Sequence, residues 1–198
     1  MAEVTARGRI VDAARTEFLG SGIGPTRMDT IAKRAGLARP NVYRYFGTKQ
    51  DLVKEVILRE VRAVNAQRRA TISLDGESAD IMLASLVSGA ELITGTEFLS
   101  VAMRTDREQV TRFLISNDED LFATQHQYWE PILTQARERG DLRADLDDDR
   151  IIRWFMSANF SLVTLPEMYP GSTTAWFVDF VIPPVLAQGS VHQRAIPG

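Results

Sequence analysis

The sequence predicts an all-α protein on three observations. Apolar residues recur at helical spacing along nearly the whole chain, Gly and Pro stops punctuate that spacing, and no run bounded by hairpin signals reads as a strand. Ile10, Val11, Ala14, Phe18 and Leu19 share one face of a first helix that ends in the cluster Gly20, Gly22 and Gly24. Thr26 reads as an N-cap, with Asp29 three residues on, for a second helix through Met28, Ile31 and Ala32 that stops at Gly36. Pro40 suits the first turn of a third helix, running to about Phe46, because amides in that turn have no intrahelical acceptor. Thr48 and Asp51 repeat the cap for a long fourth helix through Leu52, Val56 and Val61, which fades over residues 73–76.

Further on, Met82, Leu83, Leu86, Val87, Ala90 and Ile93 stripe a fifth helix, and short helices are expected at 98–103 and 107–115. Leu121, Phe122, Tyr128, Trp129, Ile132, Leu133 and Ala136 make a strongly amphipathic helix, bent at Pro131 and ended at Gly140. The acidic run 147–149 opens a helix buried along Ile151, Ile152, Phe155, Ala158, Asn159 and Leu162, and stopped by Pro166 and Pro170. A last apolar helix is expected at 174–188 despite Pro183 and Pro184.

Of the 198 residues, 44% are hydrophobic and 25% charged, enough to bury a core without staples and too apolar for disorder. The absence of cysteine excludes disulfides, thiolate zinc sites and cysteine nucleophiles, and fits a cytoplasmic protein. The longest uncharged run, residues 180–193, is too short and Pro-broken to span a membrane. His126 and His192 are the only histidines, so no metal site or other cofactor is expected. Charge is uneven: residues 1–60 hold 11 Lys and Arg against 7 Asp and Glu, whereas the remainder holds 12 against 19. A basic head on an acidic body points to a polyanion binder whose larger part does something else.

The second and third helices are each about two turns long and are joined by Ala35, Gly36, Leu37 and Ala38, the pattern of a helix-turn-helix. Arg39, Asn41, Tyr43, Arg44 and Tyr45 crowd its second helix, and Lys49 opens the next. Arg and Asn suit base edges; tyrosine hydroxyls, lysine and helix N-terminal amides suit phosphates.

These residues, with Gly24 and Thr26, Ile31, Ala32, Ala35 and Gly36, and above all VYRYFGTKQDL at 42–52, resemble the TetR family of transcriptional regulators. The resemblance is close over about the first 55 residues. It implies a homodimer of Ω-like, mostly nine-helix subunits, with a DNA-binding domain at 1–47 and an effector-binding and dimerisation domain at 48–198. It also implies DNA contacts by Thr26 and Arg27 from the second helix, groove contacts by Arg39, Pro40, Asn41 and Arg44, and phosphate contacts by Tyr43, Tyr45 and Lys49. The chain departs from the family at Ala38, where a serine or threonine cap is usual. Pro40, with no amide proton, would make an apolar contact, for instance with a thymine methyl.

For a small hydrophobic or aromatic effector, the large side chains of the middle helices are the candidates: Phe98, Met103, Phe113, Phe122, His126, Trp129 and Trp154. Asn159 interrupts an apolar face, and its partner is a ligand, the other subunit or a backbone group. The last two helices exceed the apolar content one face needs, which places Phe155, Leu162, Trp176, Phe177, Phe180, Val181 and Val185 at a dimer seam. A twofold dimer would present two recognition helices to a pseudo-palindromic operator. An enzyme is disfavoured because GSGIG at 20–24 follows a helix, not the strand a dinucleotide loop requires. The alternative to a ligand-released repressor is a DNA-binding regulator or architectural protein without an effector.

Overall fold

A computed structural model of the protein describes residues 5–116, 118–165, 167 and 171–187. Pro166, Pro170, Gln188 and His192 lie outside the described residues. The chain is all-α: α1 (Ala6–Ser21), α2 (Met28–Ala35), α3 (Arg39–Tyr45), α4 (Lys49–Thr71), α5 (Ser78–Gly95), α6 (Glu97–Thr105), α7 (Arg107–Ile115), α8 (Glu119–Glu138), α9 (Asp148–Thr164) and α10 (Thr173–Trp176). Among the described residues no single helix is long and apolar enough to cross a membrane.

Several helix ends follow from the residues that sit there. At α4, the Thr48 amide donates to Asp51 Oδ2 at 2.9 Å and the Asp51 amide donates to Thr48 Oγ1 at 3.1 Å, the reciprocal box the sequence predicts. At α9, Asp147 Oδ1 accepts from the Arg150 amide at 2.8 Å. Helix α8 runs through Pro131, and beyond it the Asp141 amide returns to the Ala136 carbonyl at 2.9 Å.

Two expectations are corrected. Thr26 does not cap α2; Arg27 occupies that position without a side-chain bond. The Thr26 hydroxyl instead donates to the Gly22 carbonyl at 2.6 Å, because the carbonyl end of α1 lies within closer reach. The final helix is also shorter than expected. After α10 comes one π turn, Phe177–Val181, closed by the Ile182 amide on the Phe177 carbonyl at 2.9 Å, then a 3-10 turn at Pro183–Val185. Pro183 and Pro184 have no amide to continue a helix. The chain leaves instead through an antiparallel bridge between Leu142 and Leu186, where the Ala187 amide donates to the Asp141 carbonyl at 2.8 Å.

The chain divides into two compact units, Met1–Ala63 with Ile93–Leu121, and Val64–Leu92 with Phe122–Gly198. In the first, Ile10, Ala14, Phe18, Ile23, Ile31, Val42, Phe46, Leu52, Val56, Phe98 and Val110 are buried. In the second, a continuous core joins Met82, Leu86, Tyr128, Trp129, Ile132, Ile151, Phe155, Phe177, Val181 and Val185.

Four residues expected at a dimer seam, Phe155, Phe177, Val181 and Val185, therefore belong to the interior of their own chain and have no surface left to offer a partner. Apolar excess in the sequence is absorbed within the subunit at these positions. Leu162 and Trp176 are half-buried, while Phe180 is 65% exposed, alongside Trp154 at 42% and Leu165.

Candidate nucleic-acid interface

Gly36 makes the turn between α2 and α3. Its φ of 68° lies in the left-handed region, and the Gly36 and Leu37 amides return to the Lys33 and Ala32 carbonyls at 3.2 and 3.0 Å. Val42 and Phe46 are buried and fix α3 from one side. The rest of its circumference presents Arg39, Pro40, Tyr43, Arg44 and Tyr45, all exposed, with Asn41 half-buried and Arg27 exposed just ahead of α2. The two tyrosines remain 38% and 42% exposed, unusual for large rings on a helix this short.

Arg39 is pre-oriented. Its Nε lies 3.0 Å from Asp29 Oδ1, and its guanidinium carbon stands 5.3 Å from the Tyr43 ring centroid. Asp29 and the Tyr43 hydroxyl leave part of the guanidinium fork free for further acceptors. Arg44 similarly covers Tyr45 at 5.8 Å. The result is a compact cationic and phenolic surface on one helix, suited to acceptor-rich groove edges and phosphates.

Two expected contact residues face inward instead. Thr26 is buried at 5% exposure. Lys49 Nζ donates to the carbonyls of Ile23, Gly24 and Thr26 at 3.0, 2.8 and 3.2 Å, so the ammonium grips the loop that leads into α2. From the other side of that loop, Asp106 accepts the Ile23 and Gly24 amides, each at 2.9 Å, and the Thr105 hydroxyl at 2.7 Å. Burial works to raise the Asp106 pKa, but these donors and the Lys49 charge outweigh it and hold the carboxyl below its ordinary range.

Asp106 sits at the N-cap position of α7 yet makes no side-chain cap there, because its carboxylate is turned to residues 82 and 83 positions away. Sequence reasoning missed it; the available signal was an acid at a helix start. Gly22, with φ of 83°, completes the loop, and a β-carbon there would meet Asp106 Oδ2 at 3.3 Å. Gly22→Ala is expected to cost about 1 kcal/mol or more in a urea titration, since the backbone conformation disfavours any side chain.

The residues expected around an effector divide between the units. Phe98 is core, and Met103 and Phe113 are half-buried, in the first. In the second, Trp129 is core, and Trp154 is largely exposed with Nε1 donating to the Val181 carbonyl at 2.8 Å. Phe122 is flanked by His126, with ring centroids 6.2 Å apart, and by the Arg153 guanidinium at 4.1 Å. Asn159 Nδ2 donates to the Phe155 carbonyl at 3.4 Å, so the backbone supplies one partner, while its Oδ1 is buried without one.

A family model described as bacterial regulatory proteins of the tetR family matches residues 10–56, the segment that builds this surface. An uncharacterised HTH-type transcriptional regulator of Mycobacterium tuberculosis is 24% identical over 190 residues, 96% of this chain and 90% of its own. Residues 10–56 thus carry a tetR-family DNA-binding segment. A further relative, the HTH-type transcriptional repressor KstR2 of M. tuberculosis, is 24% identical over 151 residues, covering 75% of this chain and 74% of that protein. The fold is that of the TetR-family repressor QsdR from R. erythropolis, with a TM-score of 0.64 and 15% identity over 85% of this chain and 87% of that one. The match over residues 10–56 and the full-length similarity to HTH-type regulators support a DNA-binding regulator of transcription.

Proposed function

We propose that the protein is a homodimeric repressor that binds a pseudo-palindromic operator and is released by a small hydrophobic effector. The observation that carries the operator reading is the outward face of α3, where Arg39, Pro40, Tyr43, Arg44 and Tyr45 stand on a helix anchored by Val42 and Phe46. In this reading Arg39, Asn41 and Arg44 meet base edges, Pro40 makes an apolar contact, and Arg27, Tyr43 and Tyr45 meet phosphates. Thr26 and Lys49 support recognition from behind by holding the loop before α2. The description of two relatives, KstR2 and QsdR, as repressors supports the sign of regulation.

Dimerisation is read from the exposed Trp154, Leu165 and Phe180, apolar side chains that a partner would cover, with Leu162 and Trp176 beside them in sequence. The effector-binding and dimerisation functions are assigned to residues 48–198 and DNA reading to residues 1–47.

Selecting bound fragments from random duplex DNA tests the reading directly. A two-fold-related consensus is expected, together with a dimer mass in light scattering. Arg44→Ala should weaken consensus binding by about 1 to 3 kcal/mol and relax preference at particular bases, whereas Tyr45→Phe should weaken all duplexes evenly. A monomeric protein with no preference among duplexes at low salt would refute the assignment.

A further inference from the structure

Helix α4 carries Arg68 into the second unit, where the residue is 3% exposed. One guanidinium nitrogen, Nη1, donates to Asn65 Oδ1 at 2.9 Å, and Nη2 donates to the Ser85 carbonyl at 2.7 Å. The guanidinium carbon lies 3.8 Å from the Tyr128 ring centroid. It also presses on Gly89, where a β-carbon would come within 3.1 Å. The site is therefore shaped around this side chain by an aromatic ring and a glycine.

Every acceptor that Arg68 finds is neutral, and no carboxylate among the described residues lies within ion-pair distance of it. Its Nε is buried with no hydrogen-bond partner. Arg69 brings a second cation to the same ring at 5.0 Å and donates to the Tyr128 carbonyl. Burial pushes the Arg68 pKa down, with Tyr128 opposing, to about 10, so the group remains a cation at neutral pH. A buried charge with no counter-charge and an unfilled N–H is costly, and an anion placed there removes both penalties.

The unfilled Nε–H and the second proton of Nη2 form the edge of a guanidinium that a carboxylate meets with two parallel hydrogen bonds. Met82, Leu86 and Trp129, in the same core as Tyr128, make the interior of this unit apolar. We propose that Arg68 is the anion-binding group of the effector site, taking the carboxylate of an otherwise apolar monocarboxylate. The inference rests on the effector reading above and names the class of ligand. One buried cation matches a monoanion; a neutral ligand leaves the charge uncompensated, and a dianion leaves excess charge in the core.

The test uses the full-length protein and a series of n-alkanoates from hexanoate to hexadecanoate together with 1-naphthoate, each paired with its primary amide. Affinity is read by titration calorimetry at neutral pH and operator release by gel shift. At least one acid should bind about tenfold or more tightly than its amide. Arg68→Met should erase that preference, and Arg68→Lys, which keeps the charge but not the two-bond fork, should reduce it. Equal binding of acids and amides, acid affinity unchanged in both variants, or no binding by any acid would overturn the proposal. The acid–amide contrast is read in the wild-type protein, so a misfolded variant does not blunt it. Amides that bind and release the operator as well as their acids do would leave the effector reading standing while removing the role of Arg68. Operator binding indifferent to every compound of both kinds would remove the effector reading itself.

Discussion

Asp106→Ala is expected to lower the unfolding free energy by about 2 kcal/mol and to weaken operator binding about tenfold or more. The carboxylate accepts two consecutive backbone amides, those of Ile23 and Gly24, in the loop that sets where α2 begins. Alanine leaves both donors to water and leaves Lys49 holding the loop alone through three carbonyls. A change confined to stability would be recovered by working at low temperature; the affinity loss should persist there, because the loop no longer fixes α2 and hence α3.

Acid titration separates charge from shape at the same position. The donors around Asp106 hold its carboxyl below the ordinary range. Its contribution is therefore complete above the unfolded value of about 3.9 and disappears as pH falls through the lower folded value. Asp106→Asn should sit below wild type by a constant margin from pH 7 to pH 5, and the two urea midpoints should converge in stronger acid. A margin that persists undiminished near pH 2 would exclude the carboxylate as its source.

Trp129→Ala carries the larger cost, about 3 to 5 kcal/mol. The indole is buried, stands edge-on to Tyr128 with centroids 5.4 Å apart, and packs on Phe155 at 4.7 Å, so its removal opens a cavity bordered by two aromatic rings. Chemical denaturation followed by far-ultraviolet circular dichroism gives the loss directly. Trp129→Phe, which keeps much of the volume, should cost less than half as much. Equal costs for the two variants would mean that the indole's size is not what the core relies on.

The N-terminal half of the recognition unit was legible because its signals are local. Gly36 with its turn, the box of Thr48 and Asp51, and the exposed side chains of α3 each lie within a few residues of their partners. Thr26 misled because a threonine two residues before a helix has two carbonyl and amide neighbourhoods within reach, and the end of α1 won. Asp106 was illegible because its partners are more than 80 positions away. Four of the expected seam residues, Phe155, Phe177, Val181 and Val185, failed for a different reason: an apolar run reports that a side chain is buried, but not whether its own chain or a second copy covers it. Phe177 and Val181 are buried in the subunit, whereas Phe180 between them faces out. Pro183 and Pro184 were visible, yet the π turn and the bridge to Leu142 that they leave room for have no sequence signature.

The three tryptophans of this chain occupy three different environments: Trp129 is enclosed, Trp176 is half-buried, and Trp154 is open with its indole nitrogen tethered to the Val181 carbonyl. That tether fixes the indole nitrogen of a largely exposed ring, so under the proposed dimerisation Trp154 becomes a native optical gauge of self-association. As the protein is diluted, iodide quenching should rise while the enclosed Trp129 stays protected, and the concentration at which it rises reads the assembly constant without any label.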